Sequence, residues 1–297
     1  MQIKNVYTLV KEGGYWQWQS RIYYKGNWFL CSRGVGDTVI FLSKISEYKK
    51  KYPDKKVNVI VSETHVPIVN FYCDLIDEIC VLPYKKMCDT TQIAFGGLLP
   101  QNIKYILPIS SYQMLGYKNM SIFDLMNLTL ELGECSEYLR PPIQDLDTVT
   151  LELLKKYNDD NEKYVIMAPT AVSVNSIDGE VWISVYNLLV ENGYKVLING
   201  SPNEKNVLFD LADYINVPID QIYLLAEKAA LFIGLRSGLC DLLAFSKCNM
   251  VVAYPNTNGK TFFDKYTFKN MPFEKKIVEC FEGELFNVVK QFVNESE

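Results

Sequence analysis

The chain has 297 residues, 48% of them hydrophobic, with 30 lysines and arginines against 35 acidic residues and a formal net charge of -5. That length and apolar fraction suit about two domains with sizeable cores. The acidic balance, with no long basic run, argues against nucleic acid as a partner, so any anion must be held by local positive charge.

Residues 1–26 are rich in aromatics (Tyr7, Tyr15, Trp16, Trp18, Tyr23, Tyr24) and read as a helix or hairpin packed on the first domain. From Asn27 a rhythm begins. "NWFLCS" is a short apolar strand, "RGVGD" a glycine loop, and "TVIFLSKISEYKKKY" puts Val39, Leu42, Ile45 and Tyr48 on one helical face before Pro53 ends it. Strand "KVNVIVS" (56–62), a short helix (66–75), strand "DEICVLP", strand "KYILPI" (104–109) and a helix (120–133) closed by Gly133 follow. Residues 140–163 hold a Pro-Pro pair and a polar acidic run, and the domain boundary is placed there: 1–145 and 146–297.

The rhythm then restarts. Strand 163–169, helix 179–193, strand 194–200, helix 204–215, helix 221–229, strand "ALFIGL", helix "SGLCDLLAFS", strand 249–255 and a terminal helix 282–295 are predicted. Strands alternating with helices imply an α/β protein with parallel sheets covered on both faces. Two such Rossmann-like domains facing a cleft would bind a ligand at the carboxyl ends of the strands.

Four loops carry candidate chemistry. In "LRSGLCD", Arg236, Ser237 and Gly238 stand between a strand and a helix. The unpaired N–H groups and positive dipole end of a helix suit a phosphate there, with Arg236 able to fork onto its oxygens. An ordinary serine cap beside a solvated arginine is the plainer alternative. "SRGVGDTV" holds Gly34, Gly36 and Asp37 in a similar place but lacks the P-loop and dinucleotide fingerprints. Asp37 there is either a general base or a helix-capping carboxylate. Thr170 and Ser173 in "APTAVSVNSIDGEVW", and Asn199 in "LINGSPNE", could hydrogen-bond a nucleotide or sugar, or serve only as turn residues.

Lys260, in a loop after the "VVAYP" strand, could add to a phosphate site. His65, the one histidine, suits a surface or capping role better than catalysis, although its strand-end position keeps it on the candidate loop. No Gly-x-Ser-x-Gly motif supports a serine hydrolase, and the eight scattered cysteines read as reduced, mostly buried thiols without metal-ligand spacing. No stretch approaches the ~20 apolar residues of a membrane span, and the N-terminus lacks a signal-peptide core.

Taken together, "GVGDTVIFLSKISEYKKKYPDKKVNVIVSETHVPIVNFYCDLIDEICVLPY", "YVIMAPTAVSVNSIDGEVWISVYNLLVENGYKVLINGSPNE" and "YLLAEKAALFIGLRSGLCDLLAFSKCNMVVAYPN" resemble, in order and spacing, the heptosyltransferase-like glycosyltransferases of GT-B fold over most of 27–256. The resemblance implies metal-independent, inverting transfer of a sugar from a nucleotide-sugar donor to a cell-envelope or surface glycan, with no cofactor. Asp37 matches the family's Gly-Asp base, and Ser237-Gly238 matches its diphosphate-cradling Ser-Gly. Two departures stand out: Arg236 replaces the usual acidic residue, and the loop before Trp182 lacks the lysine the family often carries.

The resemblance therefore leaves the sugar open among hexosyl, heptosyl and fucosyl types. It also leaves the nucleotide base and the choice between a free and a lipid-linked glycan acceptor open. The expected location is the cytoplasm, with peripheral contact at the inner face of the membrane as an alternative. Two other readings stay open on the same fold: a sugar-nucleotide epimerase or hydrolase, and a degenerate protein that only binds nucleotide sugar or glycan.

Overall fold

Short, wholly buried apolar runs set the architecture, because strands covered on both faces read as continuous hydrophobic segments. The computed structural model describes residues 6–8, 27–95, 101–108, 120–135, 137–157, 163–172, 174–200, 207–211, 214–257, 259–269, 271–273 and 275–295. The chain divides into two compact units, Met1–Pro142 and Ile143–Glu297. Apart from 6–8, the aromatic-rich segment 1–26 lies outside the described residues.

The first unit contains strands β1 (Val6–Thr8), β2 (Trp28–Leu30), β3 (Asn58–Ser62), β4 (Glu78–Leu82) and β5 (Ile103–Tyr105), ordered β1-β4-β3-β2-β5. Every pairing is parallel. Among the described residues its helices are α1 (Val35–Ser43), α2 (Ile45–Lys51), α3 (Val66–Asn70), α4 (Tyr84–Phe95) and α5 (Ile122–Thr129). Val39, Leu42, Ile45 and Tyr48 are all buried, as their spacing predicts.

The helix expected across 38–52 nevertheless breaks at Lys44. That side chain is fully buried, its Nζ donating to the carbonyls of Cys135 (2.8 Å) and Glu137 (2.6 Å) and lying 5.1 Å from the Phe123 ring centroid. Burial pushes the Lys44 pKa down. The two carbonyls replace the water it loses, which keeps the cost of burying it bearable. The same contacts bind the segment after α5 onto this helix pair.

The second unit contains helix α6 (Thr148–Tyr157), then β6 (Tyr164–Ala168), α7 (Gly179–Glu191), β7 (Lys195–Asn199), β8 (Tyr214–Ile215), α8 (Ile219–Ala226), β9 (Leu231–Leu235), α9 (Gly238–Leu243), β10 (Asn249–Tyr254), α10 (Gly259–Tyr266), β11 (Ile277–Phe281) and α11 (Leu285–Glu295). The six strands are parallel in the order β11-β10-β9-β6-β7-β8. Counted from β6, that is the doubly wound order 3-2-1-4-5-6 read from the other edge.

Two expectations need correction here. The segment 204–215 is not one helix: Val207–Asp210 form a 3-10 turn and Tyr214–Ile215 extend as β8 beside β7. Sheet pairing overrides the helical spacing, since Ile215 gains a fully buried place at the edge. Segment 140–163 is not merely a polar linker either. Its Asp147 side chain caps α6 by accepting from the Thr150 N–H (2.7 Å), and the Asp147 N–H donates to Gln221 (2.9 Å), tying the helix to the second unit. Helices α4 and α10 and strand β11 were not anticipated.

All eight cysteines are free, five of them buried. Burial raises the thiols of Cys248 and Cys280 to about 12, so they stay protonated. Among the described residues no helix is long and apolar enough to cross a membrane, and no cluster of three His, Cys, Asp or Glu residues could hold a metal ion.

Candidate functional site

In an open parallel sheet, ligands settle outside the carboxyl ends of the strands where the strand order reverses. In the first sheet the reversal lies between β2 and β5; in the second, between β6 and β9. The loops just beyond those strands contain most of the candidate residues.

After β2 the chain turns through Cys31–Gly34 into α1. Ser32 is 1% exposed, and its hydroxyl works twice: it donates to Asp37 Oδ2 (2.8 Å) and accepts from the Gly34 N–H (2.9 Å). Asp37, in the first turn of α1, is half-buried. Gly34 has ordinary extended dihedrals, so its role is not a left-handed turn. A Cβ there would lie 2.8 Å from Asp37 Oδ2 and 3.4 Å from Ser32 Oγ. The glycine leaves room for the carboxylate. Gly34→Ala is therefore expected to fold but to displace Asp37, lowering turnover about tenfold or more, which steady-state kinetics on the purified variant would check. Gly36 is buried inside the same first turn.

His65 is not on the surface, contrary to expectation: it is 1% exposed. The 3-10 turn Glu63–His65 after β3 carries the ring under the β2 loop, where Nδ1 lies 3.1 Å from Thr38 Oγ1 and the ring also hydrogen-bonds the Arg33 backbone. Burial lowers its pKa to about 4. Thus His65 is a neutral brace for the Ser32–Asp37 loop. The unfolded chain binds its proton more readily, so stability is lost as pH falls from about 6.5 towards 4, up to about 3 kcal/mol in all. A His65→Gln variant should lose that part of the pH dependence, read by urea melts across the range. Tyr105, at the end of β5, has its hydroxyl pKa raised, first by burial and next by the negative charge of Asp37.

In the second unit, Arg236, Ser237 and Gly238 follow the end of β9 at Leu235. Ser237 is the extended N-cap of α9, yet its hydroxyl makes no capping bond and lies 3.8 Å from Cys240 Sγ. Ser237 and Gly238 are half-buried. Arg236 turns the other way. Its guanidinium is 4% exposed and grips Asp241 through Nη2–Oδ1 (2.7 Å) and Nη1–Oδ2 (3.0 Å), while Nη1 also donates to the Ser237 carbonyl (2.6 Å). The Phe268 ring centroid lies 4.8 Å from it. Burial is the largest influence and opposes the positive charge, but the Asp241 carboxylate, together with Tyr254 and Cys240, raises the Arg236 pKa on balance. The predicted fork onto a ligand phosphate is thus replaced by a fork onto a buried carboxylate, because the side chain lies behind the loop. Glu279 braces this packing by accepting from Tyr254 (2.5 Å), Thr267 (2.5 Å) and the Phe268 N–H (2.9 Å).

Thr170 and Asn199 are half-buried at the carboxyl ends of β6 and β7. Ser173 lies outside the described residues. Lys260 is exposed, not in a loop but in the first turn of α10. The loops after β6 and β10 are joined. Asn175 donates to Thr257 (3.0 Å), and Glu282 accepts from the Asp178 N–H (2.8 Å) and the Asn256 N–H (3.0 Å). Trp182, close in sequence, is fully buried in the core beneath this edge. Ser32, Thr38, Asp241 and Glu279 complete the two loops and were missed in the sequence. Only Asp241 gave a signal, as a charge inside an apolar run.

No protein-family model matches the sequence, and no curated protein does. Solved structures do. The glycosyl transferase family 9 protein from Veillonella parvula DSM 2008 matches with a TM-score of 0.61 at 14% identity, over 91% of this chain and 89% of that one. The chain has the fold of a GT-B glycosyltransferase. The E. coli ADP-heptose LPS heptosyltransferase II matches at 0.59 and 13% identity (92% and 99% covered), and the E. coli heptosyltransferase WaaC with ADP-2-deoxy-2-fluoro heptose at 0.56 and 14% identity (91% and 100%).

Proposed function

We propose that the protein is a metal-independent, inverting glycosyltransferase that moves a sugar from a nucleotide-sugar donor to a hydroxyl of a surface or cell-envelope glycan. The observation that carries this reading is the Ser32–Gly34–Asp37 arrangement at the switch point of the first sheet. There a half-buried carboxylate is oriented by a buried hydroxyl, and a glycine leaves it room. The likeness in fold to proteins described as heptosyltransferases, one of them solved with an ADP-sugar analogue, supports the donor class.

In this reading the first unit is the acceptor side. Asp37 takes the proton of the acceptor hydroxyl as its oxygen attacks the anomeric carbon of the donor. The bond from that carbon to the diphosphate oxygen breaks, and the electron pair leaves with the nucleoside diphosphate. The second unit holds the donor. Backbone N–H groups at Ser237 and Gly238, with the Ser237 hydroxyl, receive the growing charge on the diphosphate, and the Lys260 ammonium is assigned to the same role. Thr170 and Asn199 are assigned to the nucleotide or sugar. Arg236 is assigned to shaping the Ser-Gly loop from behind through Asp241.

A panel of UDP-, GDP-, ADP-, CMP- and TDP-sugars tests the donor assignment by thermal melting. One nucleotide class should raise the midpoint, equivalent to about 2.7 kcal/mol at a hundredfold excess over Kd. No shift with any of them would overturn it.

A further inference from the structure

The two units carry charge of opposite sign. Residues 1–142 hold 16 lysines and arginines against 13 acidic residues, a formal net charge of +3, while residues 143–297 hold 14 against 22, a net charge of -8. The unit assigned to the anionic donor is the acidic one and must gather its positive charge locally. The unit assigned to the acceptor is basic within an acidic chain. A basic unit attracts anions and raises their local concentration.

One of those cations stands in the loop of the proposed base. Arg33 is exposed in the turn between β2 and α1, four residues before Asp37. Its backbone is fixed, because the buried His65 ring hydrogen-bonds it. Its side chain is barely engaged. Nη1 donates to Cys88 Sγ at 3.6 Å, and a thiol is a weak acceptor. Among the described residues no carboxylate pairs with this guanidinium. The two acidic side chains of the adjoining loops have other bonds: Asp37 accepts from Ser32, and Glu63 accepts from the Tyr84 N–H at 3.1 Å.

The guanidinium lies close enough to the Tyr84 and Tyr105 hydroxyls to interact with both, and Tyr105 in turn senses Asp37. Arg33, Tyr105 and Asp37 therefore gather at the switch point of the first sheet, beyond the ends of β2 and β5. Lys85, exposed in the first turn of α4 and three residues before Cys88, adds a second cation on that helix.

We propose that the acceptor carries an acidic group, a carboxylate or a phosphate, and that Arg33 holds it beside the hydroxyl that Asp37 deprotonates. The planar guanidinium fork matches two oxygens of either group. Its positive charge also offsets the repulsion between an acidic acceptor and the Asp37 carboxylate. The weak thiol contact is given up on binding. This inference rests on the reading of the first unit as the acceptor side.

Saturation-transfer NMR on the full chain, without donor, tests it with three sugars. Methyl glucuronide supplies a carboxylate, glucose 6-phosphate a phosphate, and methyl glucoside is the neutral control. At least one acidic sugar should bind about tenfold more tightly than methyl glucoside, and the one that does distinguishes carboxylate from phosphate. Arg33→Gln should lose that preference while melting at the wild-type temperature. Arg33→Lys, which keeps the charge without the fork, should retain part of it. Equal binding of all three sugars, no binding by either acidic one, or a preference that survives Arg33→Gln would overturn the proposal. No turnover enters this measurement, so the two readings fail separately. A nucleotide-sugar melting shift without any acidic preference removes this inference alone. Acidic sugars bound through Arg33 by a protein that transfers nothing would remove the transferase reading and keep the anion site.

Discussion

Replacing Asp37 by asparagine is expected to lower kcat by about a hundredfold to ten-thousandfold, the usual contribution of a positioned general base. The substitution is nearly isosteric, and the amide oxygen can still accept from Ser32 Oγ, which lies 2.8 Å away in the native loop. Melting temperature and donor affinity should therefore stay close to wild type, because the residues proposed to hold the donor belong to the second unit. A smaller loss is expected for Ser32→Ala, which leaves the carboxylate in place but frees it to rotate. The comparison of kcat with donor Kd checks both. An Asp37→Asn variant that turns over normally would remove the base from this account and return Asp37 to the role of a helix-capping residue.

Arg236→Ala is expected to destabilise the protein by about 3–5 kcal/mol, the cost of leaving one partner of a buried ion pair uncompensated. The stranded group is Asp241, 5% exposed inside the apolar face of α9. Burial already pushes its carboxyl pKa upward, and Arg236 opposes that push. Without the arginine the carboxylate must take up a proton or open the helix to water. The double variant Arg236→Met with Asp241→Leu removes both charges at similar volume and should recover most of the loss, since buried pairs are often replaceable as a unit. Urea midpoints for the three proteins read this directly. The phosphate-fork expectation makes a different forecast: unchanged stability and lost nucleotide binding in Arg236→Ala.

The contrast between these two residues shows where sequence reasoning reached and where it stopped. Periodicity revealed Val39, Leu42, Ile45 and Tyr48 as one buried face because core burial and helix geometry act together there. It did not reveal the break at Lys44, which is decided by carbonyls about ninety residues later in the chain. The Arg-Ser-Gly loop was legible as a strand-to-helix turn, since an apolar strand ends abruptly at a charge. The direction of the Arg236 side chain was not. Asp241 stands five residues on, and only the turn of the chain at Ser237–Gly238 brings it onto the guanidinium.

His65 failed for a related reason. A lone histidine in "SETHVP" looks solvated, and the partner that buries it, Thr38, comes from another element 27 residues earlier. Gly34 was read only as part of a glycine loop, and its use is space for a neighbour's carboxylate. Segment 204–215 had helical spacing, yet the edge of the second sheet claimed Tyr214 and Ile215.

The most direct test of the central claim follows both halves of the reaction by proton NMR. Wild-type protein is mixed with the nucleotide sugar class that raises its melting point and with a cell-surface glycan acceptor. The account predicts that nucleoside diphosphate and a new glycosidic linkage appear in equal amounts, with the anomeric configuration opposite to that of the donor, and that both stop in Asp37→Asn. A donor that changes its sugar while keeping its nucleotide linkage, that is cleaved without acceptor, or that remains untouched would contradict it.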